Sequence, residues 1–140
     1  TWEIPGWRMK MRNPHIVPLS RQAVALLREQ KEETGHLNIP WVFPSQTKPK
    51  NSMSNNTILF AIGRIGYKKR MTGHGFRALA MSNIKEKLGY RHEVVDRQLA
   101  HAHRNKIDRA YDRAQFLDER TKMMQEWADF IDGLTLKQTA

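Results

Sequence analysis

The chain has 140 residues, 39% of them hydrophobic, with no cysteine and a formal net charge of +10. This length suits one domain with a real core, and the lack of cysteine excludes disulfides, thiol catalysis and cysteine-based zinc sites. No apolar run reaches the roughly 18 residues that a membrane span needs, and the N-terminus has no apolar signal core, so we expect no membrane association and a cytoplasmic location.

The positive charge is concentrated in the first part of the chain. Residues 1–77 hold 13 Lys or Arg against four acidic residues, whereas residues 78–140 hold 11 against ten. Between Thr34 and Lys85 there is no Asp or Glu. Because a surface of one sign repels itself unless it binds a partner of opposite charge, this stretch predicts a nucleic-acid ligand. A merely solvated basic face is the alternative.

The first residues have the pattern of strands. Trp2–Ile4 predicts a short strand that ends at the turn signal Pro5-Gly6. Residues 7–19 predict a β-hairpin, because extended patterns flank a turn at residues 12–14. Lys10 would lie close to the tip of this hairpin.

Two helices are predicted next. Ser20 caps a helix that stops near Gly35, and Ser54 caps a second one that Gly66 ends. A short extended piece at residues 41–43 and a loop at residues 45–51 separate them. The positions expected to face inward are Ala23, Val24, Leu26 and Leu27 in the first helix and Ile58, Leu59, Ile62 and Ile65 in the second.

The remainder of the chain also has helical periodicity. Thr72 begins a helix that runs through Leu88 to Gly89, and further helices are predicted at residues 92–100, 106–117 and 118–132. Their inward positions are Phe76, Leu79, Ala80, Ile84 and Leu88; Val94, Val95 and Leu99; Ile107, Ala110, Tyr111 and Ala114; and Met123, Met124, Trp127, Phe130 and Ile131. The predicted fold is mainly α with a small N-terminal β-hairpin, an α+β fold.

Four pieces of sequence carry residues suited to phosphate chemistry. They are Lys10, the segment His74-Gly75-Phe76-Arg77, the segment Leu99-Ala100-His101, and Tyr111. Their order and their flanks, RMKMRNPHIVPLS, MTGHGFRA, RQLAHAHRNKIDRAYDRA and MMQEWADF, resemble the tyrosine recombinase (phage integrase) family, in particular its prophage and satellite-phage integrases. The resemblance covers nearly the whole chain. It implies that residues 1–140 are the C-terminal portion of a catalytic domain with the helical fold of that family.

The resemblance implies site-specific integration or excision of DNA through a 3′-phosphotyrosyl intermediate. Tyr111 would be the nucleophile, His101 would contact a phosphate oxygen or assist proton transfer, and Lys10 would protonate the leaving 5′-oxygen. His74 and Arg77 lie at i and i+3 on one face of a helix start, where free N–H groups favour an anion. The planar fork of arginine can meet two phosphate oxygens and keeps its charge.

Each of these residues also has a structural interpretation. Tyr111 could pack in an apolar stripe, His74 could cap its helix beside a surface charge at Arg77, and Lys10 could be one of three solvated bases. A metal site of His92, His101 and His103 is the other alternative, but no cysteine or well-placed carboxylate completes it. We therefore expect no metal and no cofactor.

The resemblance also implies partners. Double-stranded attachment sites would be bound, the full-length protein would form a homo-oligomer (a tetramer) on DNA, and DNA-bending accessory proteins could assist. The residues expected to contact DNA are Arg8, Arg12, Lys48, Lys50, Lys68, Lys69 and Arg70. A non-catalytic basic helical DNA-binding module is the alternative function, and an assembly fragment that docks through the Trp127 helix is another.

One departure from the family concerns a further active-site arginine. Family members carry it in an RxxEL-type segment before the first hairpin, and the 140 residues contain no such segment. The N-terminal DNA-binding domains of the family are also absent from them. We therefore expect this chain by itself not to cleave DNA.

Overall fold

The computed structural model describes residues 1–100 and 115–136. The chain divides into two compact units. The core unit comprises Thr1–Ser20 and the described residues from Ala80 onward, and the basic unit comprises Arg21–Leu79.

The core unit begins with a two-stranded hairpin. Strands β1 (Trp2–Ile4) and β2 (His15–Val17) are antiparallel, with Trp2 opposite Val17. The predicted first strand is confirmed, whereas the predicted hairpin over residues 7–19 is wrong, because Gly6–Arg8 forms a 3₁₀ turn and β2 pairs with β1.

The reason for this difference is a close approach inside the connection between the two strands. A Cβ atom on Gly6 would overlap the carbonyl oxygen of Arg12, so only glycine allows the chain to return here. Arg12 itself adopts a left-handed conformation with φ 60°. The reversal therefore starts at Gly6, before a first strand over residues 7–11 could form.

The first helix of the basic unit has its predicted limits, whereas the N-cap of the second is Asn56 and not the predicted Ser54. α1 spans Arg21–Thr34 and leads into the 3₁₀ turn Gly35–Leu37. α2 spans Thr57–Ile62 and continues as the π-helical segment Gly63–Tyr67. There Gly66, with φ 88°, ends the helix as predicted. The predicted extended piece at residues 41–43 instead consists largely of bends, and the adjacent Pro44 pairs with Ser52 in a single β-bridge.

The apolar faces predicted for the basic unit are mostly exposed. Ile62 is buried at 5% exposure, but Leu26 is 65% and Ile65 is 71% exposed. The other predicted inward positions that are exposed are Leu27, Ile58, Leu59, Phe76 and Leu79. Burial of these residues was therefore predicted wrongly. A helical stripe is buried only where a second element covers it, and α1 and α2 make their main contacts with the turns that directly follow them.

The core unit contains the hydrophobic core. α3 spans Gly73–Leu88 and ends at Gly89, which has φ 71°; α4 spans His92–Gln98 and α5 spans Leu117–Leu136. The core joins α3, α4 and α5 through four buried residues, Ile84, Val94, Val95 and Met123. Partly buried residues packed around them include Ala80, Leu88, Leu99, Met124 and Trp127. These predicted inward positions are confirmed, and α5 packs on helices of its own chain. The prediction for Ile131 is wrong, because its side chain is 43% exposed.

The α+β fold class is confirmed. The predicted helix at residues 106–117 lies largely outside the described residues, and Gln115 and Phe116 are not helical. α5 begins at Leu117, one residue before its predicted start, and extends past Asp132 to Leu136.

None of the helices in the described ranges combines the length and the hydropathy that a bilayer-spanning segment requires.

Candidate functional site

The start of α3 carries the predicted His74 and Arg77 pair. Thr72 caps the helix, since the Gly75 N–H donates to the Thr72 hydroxyl at 3.1 Å and lies 3.0 Å from its carbonyl oxygen. His74 is exposed in the first turn and Arg77 is half-buried one turn later. Their spacing of three residues puts both on one face, at the helix end where backbone N–H groups favour an anion. The structure therefore places these two predicted residues in the first turns of the same helix.

A tight basic turn directly precedes this helix. The backbone N–H groups of Arg70 and Met71 both donate to the Tyr67 carbonyl, at 3.0 and 3.1 Å, and Lys69 has a left-handed φ of 64°. The Arg70 guanidinium lies over the Tyr67 ring, 5.2 Å from its centroid. Lys68, Lys69 and Arg70 are all exposed. The three predicted DNA contacts of this turn thus precede in sequence the helix start that carries His74 and Arg77.

A second basic loop of the same unit carries Lys48 and Lys50. It is closed at its base by hydrogen bonds from Ser45 N to Asn51 O (2.8 Å) and from Met53 N to Phe43 O (2.9 Å). The Trp41 indole N–H also donates to the Lys50 carbonyl at 3.0 Å. Both lysines are exposed. The loop therefore presents two charges on a backbone held by its own hydrogen bonds.

The charge of the basic unit is strongly one-sided. It holds ten Lys or Arg against three acidic residues, a net of +7, and the three acids Glu29, Glu32 and Glu33 all lie on α1. Acidic residues are absent from the loop at residues 45–51, from the basic turn at residues 68–70 and from the start of α3. Such a field attracts the phosphates of nucleic acid over a range of about 10 Å at moderate salt.

Lys10 lies in the core unit, exposed in the connection between β1 and β2. That connection is held by a bond from Arg12 N to Met9 O (3.0 Å) and by one from the Arg12 guanidinium to Trp7 O (3.2 Å). The Arg8 guanidinium lies 5.8 Å from the Trp7 ring centroid. Lys10 thus lies in a connection between two strands, between the exposed bases Arg8 and Arg12, although the strands are β1 and β2 and not those of the predicted hairpin over residues 7–19.

The other two predicted catalytic residues, His101 and Tyr111, lie outside the described residues, as does His103. The described residue of the metal alternative, His92, has Nε2 2.9 Å from an Asp96 oxygen and Nδ1 3.5 Å from Lys85 Nζ. Across residues 1–100 and 115–136, no group of three His, Asp or Glu side chains is placed to hold a metal ion.

A buried arginine that was not predicted lies in the core unit. Arg120, at 0% exposure, donates to Gln98 Oε1 (2.9 Å), to the Gln115 carbonyl (3.1 Å) and to the Ile16 carbonyl. Burial, aided by the nearby charge of Arg97, lowers the pKa of Arg120 to about 10. Arg120 was missed because it follows Asp118 and Glu119, so that the three residues have the pattern of a charged, solvent-exposed helix start.

The helical register could have identified Arg120. It lies three residues before Met123 and seven before Trp127, on the apolar face of α5. A charged residue in such a stripe predicts either a buried bond network or a wrong helix assignment.

Comparison of the sequence with known proteins identifies a family and several relatives. The model of the phage integrase family matches residues 1–117. The prophage integrase IntA of Escherichia coli K12 is 38% identical over 93% of this chain and 31% of its own length. An integrase of Enterobacteria phage P4 is 38% identical (94% and 33%), and the prophage integrase IntZ of Escherichia coli K12 is 41% identical (96% and 32%).

The chain spans about a third of the length of these curated relatives. No solved structure matches it significantly. Because the family model covers residues 1–117 of 140, from the hairpin that displays Lys10 to the start of α5, the chain belongs to the phage integrase family.

Proposed function

We propose that the full-length protein containing this chain is a tyrosine-type site-specific recombinase, which integrates or excises DNA at double-stranded attachment sites. The observation that carries this proposal is that His74 and Arg77 both lie in the capped first turns of α3, shortly after the basic turn 68–70. The family match over residues 1–117 supports the same function.

The proposed cleavage begins with the Tyr111 phenol. Its oxygen attacks the scissile phosphorus, a phosphorus–tyrosine oxygen bond forms, and the bond to the 5′-oxygen breaks. The products are a 3′-phosphotyrosyl strand and a free 5′-hydroxyl. Because a phenol has a pKa near 10, its proton must leave as the bond forms, and His101 is the group proposed to assist that transfer.

The negative charge that develops on the non-bridging oxygens requires fixed cations and donors. Arg77 would provide a bidentate guanidinium and His74 a ring N–H, both from the same helical face. Lys10 would protonate the departing 5′-oxygen. Rejoining reverses these steps with a new 5′-hydroxyl, and it needs no ATP because the phosphotyrosyl bond conserves the phosphodiester energy.

DNA binding would use the exposed bases of both units. Backbone phosphates of the duplex would lie against the basic unit, whose net charge is +7, and against the hairpin connection. The proposed contacts are Arg8, Arg12, Lys48, Lys50, Lys68, Lys69 and Arg70. We also propose that four protomers act together, because exchange between two duplexes requires the cleavage of four strands, and that DNA-bending accessory proteins assist.

The test uses the full-length protein and a suicide substrate nicked close to the cleavage position of a cognate site. Wild type should form a covalent protein–DNA adduct on a denaturing gel, Tyr111→Phe should form none, and both should bind the site equally. The matched control is Tyr90→Phe. This variant also loses only a hydroxyl group, but it keeps Tyr111 and should therefore form the adduct. An adduct that persists in Tyr111→Phe would show that the nucleophile lies elsewhere.

Arg77→Ala tests the proposed charge stabilisation in the same assay. The loss of one cation from the transition state should slow cleavage by about a hundred- to a thousand-fold at saturating DNA. A rate within a few-fold of wild type would contradict the role given to Arg77.

A non-catalytic DNA-binding module is the second candidate, and the +7 charge of the basic unit is the observation that favours it. In that case wild type would bind duplex DNA in a salt-dependent way but form no adduct on any suicide substrate.

A further inference from the structure

The buried Arg120 joins three places that are distant in sequence. Its Nε donates to the side chain of Gln98, the last residue of α4; one terminal nitrogen donates to the Gln115 carbonyl; and the other donates to the Ile16 carbonyl in β2. A single guanidinium can do this because it offers five N–H donors in one rigid plane.

Two of these acceptors belong to residues that lie close in sequence to proposed catalytic residues. Gln98 lies three residues before His101, and Gln115 lies four residues after Tyr111. Arg120 therefore bonds to two residues that flank the segment 101–114 in the sequence, one on each side. Fixing the two ends of a segment removes much of its conformational freedom.

The hairpin is tied to the same point. Ile16 accepts from Arg120, and the neighbouring His15 ring, which is buried, has Nε2 3.2 Å from the Gln98 carbonyl. β2 is thus joined to the end of α4 directly through His15 and, by way of the Arg120 guanidinium, through Ile16. The connection that displays Lys10 runs directly into β2.

Stability alone does not explain a charged residue at this position. The three acceptors are neutral oxygens, and a buried charge held by hydrogen bonds often stabilises a core no better than apolar side chains of similar volume. The guanidinium also fixes the relative positions of the three acceptors, because its three hydrogen bonds must lie in one plane.

We propose that Arg120 is a positioning residue for strand cleavage: by holding Gln98, Gln115 and Ile16 together, it sets both ends of the segment that carries His101 and Tyr111 relative to the hairpin that carries Lys10. This inference rests on the proposed recombinase function. It assigns Arg120 no contact with DNA, since its side chain is fully buried.

The test compares Arg120→Met with Tyr90→Phe in the full-length protein. Methionine keeps an unbranched stem but cannot donate, so all three bonds are lost. Tyr90→Phe is the matched control, because it removes one bond between the α3–α4 connection and α5, from the Tyr90 hydroxyl to Glu126 at 2.8 Å. Single-turnover cleavage of the suicide substrate is measured at saturating DNA and well below the melting temperature of each variant, together with DNA affinity.

Arg120→Met should cleave about a hundred-fold more slowly than wild type, because a displacement of about an ångström at the reacting groups can cost that much. Its affinity for DNA and the salt dependence of that affinity should stay unchanged. Tyr90→Phe should melt at a lower temperature and yet cleave at the wild-type rate. If both variants cleave at the wild-type rate, or both slow in proportion to their loss of stability, the positioning role is wrong.

A second variant covers the case in which Arg120→Met does not fold. Gln98→Ala removes one acceptor from the cluster, and should slow cleavage about ten-fold with unchanged DNA affinity; a wild-type rate would overturn the inference. Wild type that forms no adduct would instead contradict the recombinase function itself, and the positioning role with it.

Discussion

The two units of this chain use their apolar residues in different ways. In the core unit, Val94, Val95 and Met123 are fully buried. In the basic unit, all of which the structure describes, Ile62 is the one buried hydrophobic residue, while Phe60 is 65% and Ile65 is 71% exposed. The unit with the less buried apolar residues also has the higher net charge, +7 for residues 21–79 against +3 for the rest of the chain.

This difference shows what an apolar stripe can and cannot predict. Periodic apolar residues correctly predicted helices in both units, because local spacing is enough to define one face. Burial of that face requires a second element, and only the core unit supplies one within the described residues.

The largest effect is expected from truncating the core. Met123→Ala should lower the free energy of unfolding by about 2–5 kcal/mol, because it leaves a cavity beside Val94 and Val95. Leu26→Ala, on the exposed face of α1, should change it by less than about 0.5 kcal/mol. Urea denaturation followed by tryptophan fluorescence measures both. Equal losses would mean that the two units are packed alike.

A smaller effect is expected from the charges of the basic turn. Replacing Lys68 and Lys69 together by glutamine should reduce the slope of log affinity against log salt by about two, since each phosphate contact contributes about 0.9. The matched control removes two exposed charges from the core unit, Lys87 and Lys122, and should leave the slope unchanged. A titration of duplex DNA at several salt concentrations gives the slopes, and an unchanged slope for the Lys68 and Lys69 variant would contradict DNA contacts at this turn.

The smallest effect concerns the pH dependence of the core unit. Burial, opposed in part by the bond to Gln98, lowers the pKa of His15 below its ordinary value of 6.5. The folded state therefore binds this proton less readily than the unfolded state. The stability contributed by neutral His15 is complete above pH 6.5 and is lost as the pH falls below it. Melting temperatures of wild type should fall more steeply on acidification than those of His15→Gln, and parallel profiles would contradict this.

Local signals in the sequence predicted much of the fold. Thr72 begins α3, and Gly66 and Gly89 end their helices, because a cap or a left-handed glycine acts on its own neighbours. The hairpin was misplaced because its start depends on the approach of Arg12 to Gly6, which spacing does not reveal. Arg120 needed still longer-range information, since its partner Ile16 lies 104 residues away.

The candidate site was predictable to a similar extent. The face shared by His74 and Arg77 follows from a spacing of three residues on a helix, and the display of Lys10 follows from its place in a connection between strands. The shared bonding of Gln98 and Gln115 to Arg120 did not follow from the sequence, because in the sequence this buried arginine resembles a surface charge.

The most direct test of the proposed recombinase function is to identify the residue joined to DNA. The covalent adduct of the full-length protein with a suicide substrate is digested with nuclease and protease, and mass spectrometry locates the residual nucleotide. We expect it on the peptide that contains Tyr111, as a phosphotyrosyl ester to a 3′-oxygen. A nucleotide found on a peptide with Tyr67 or Tyr90, or on a serine, would contradict the proposed mechanism.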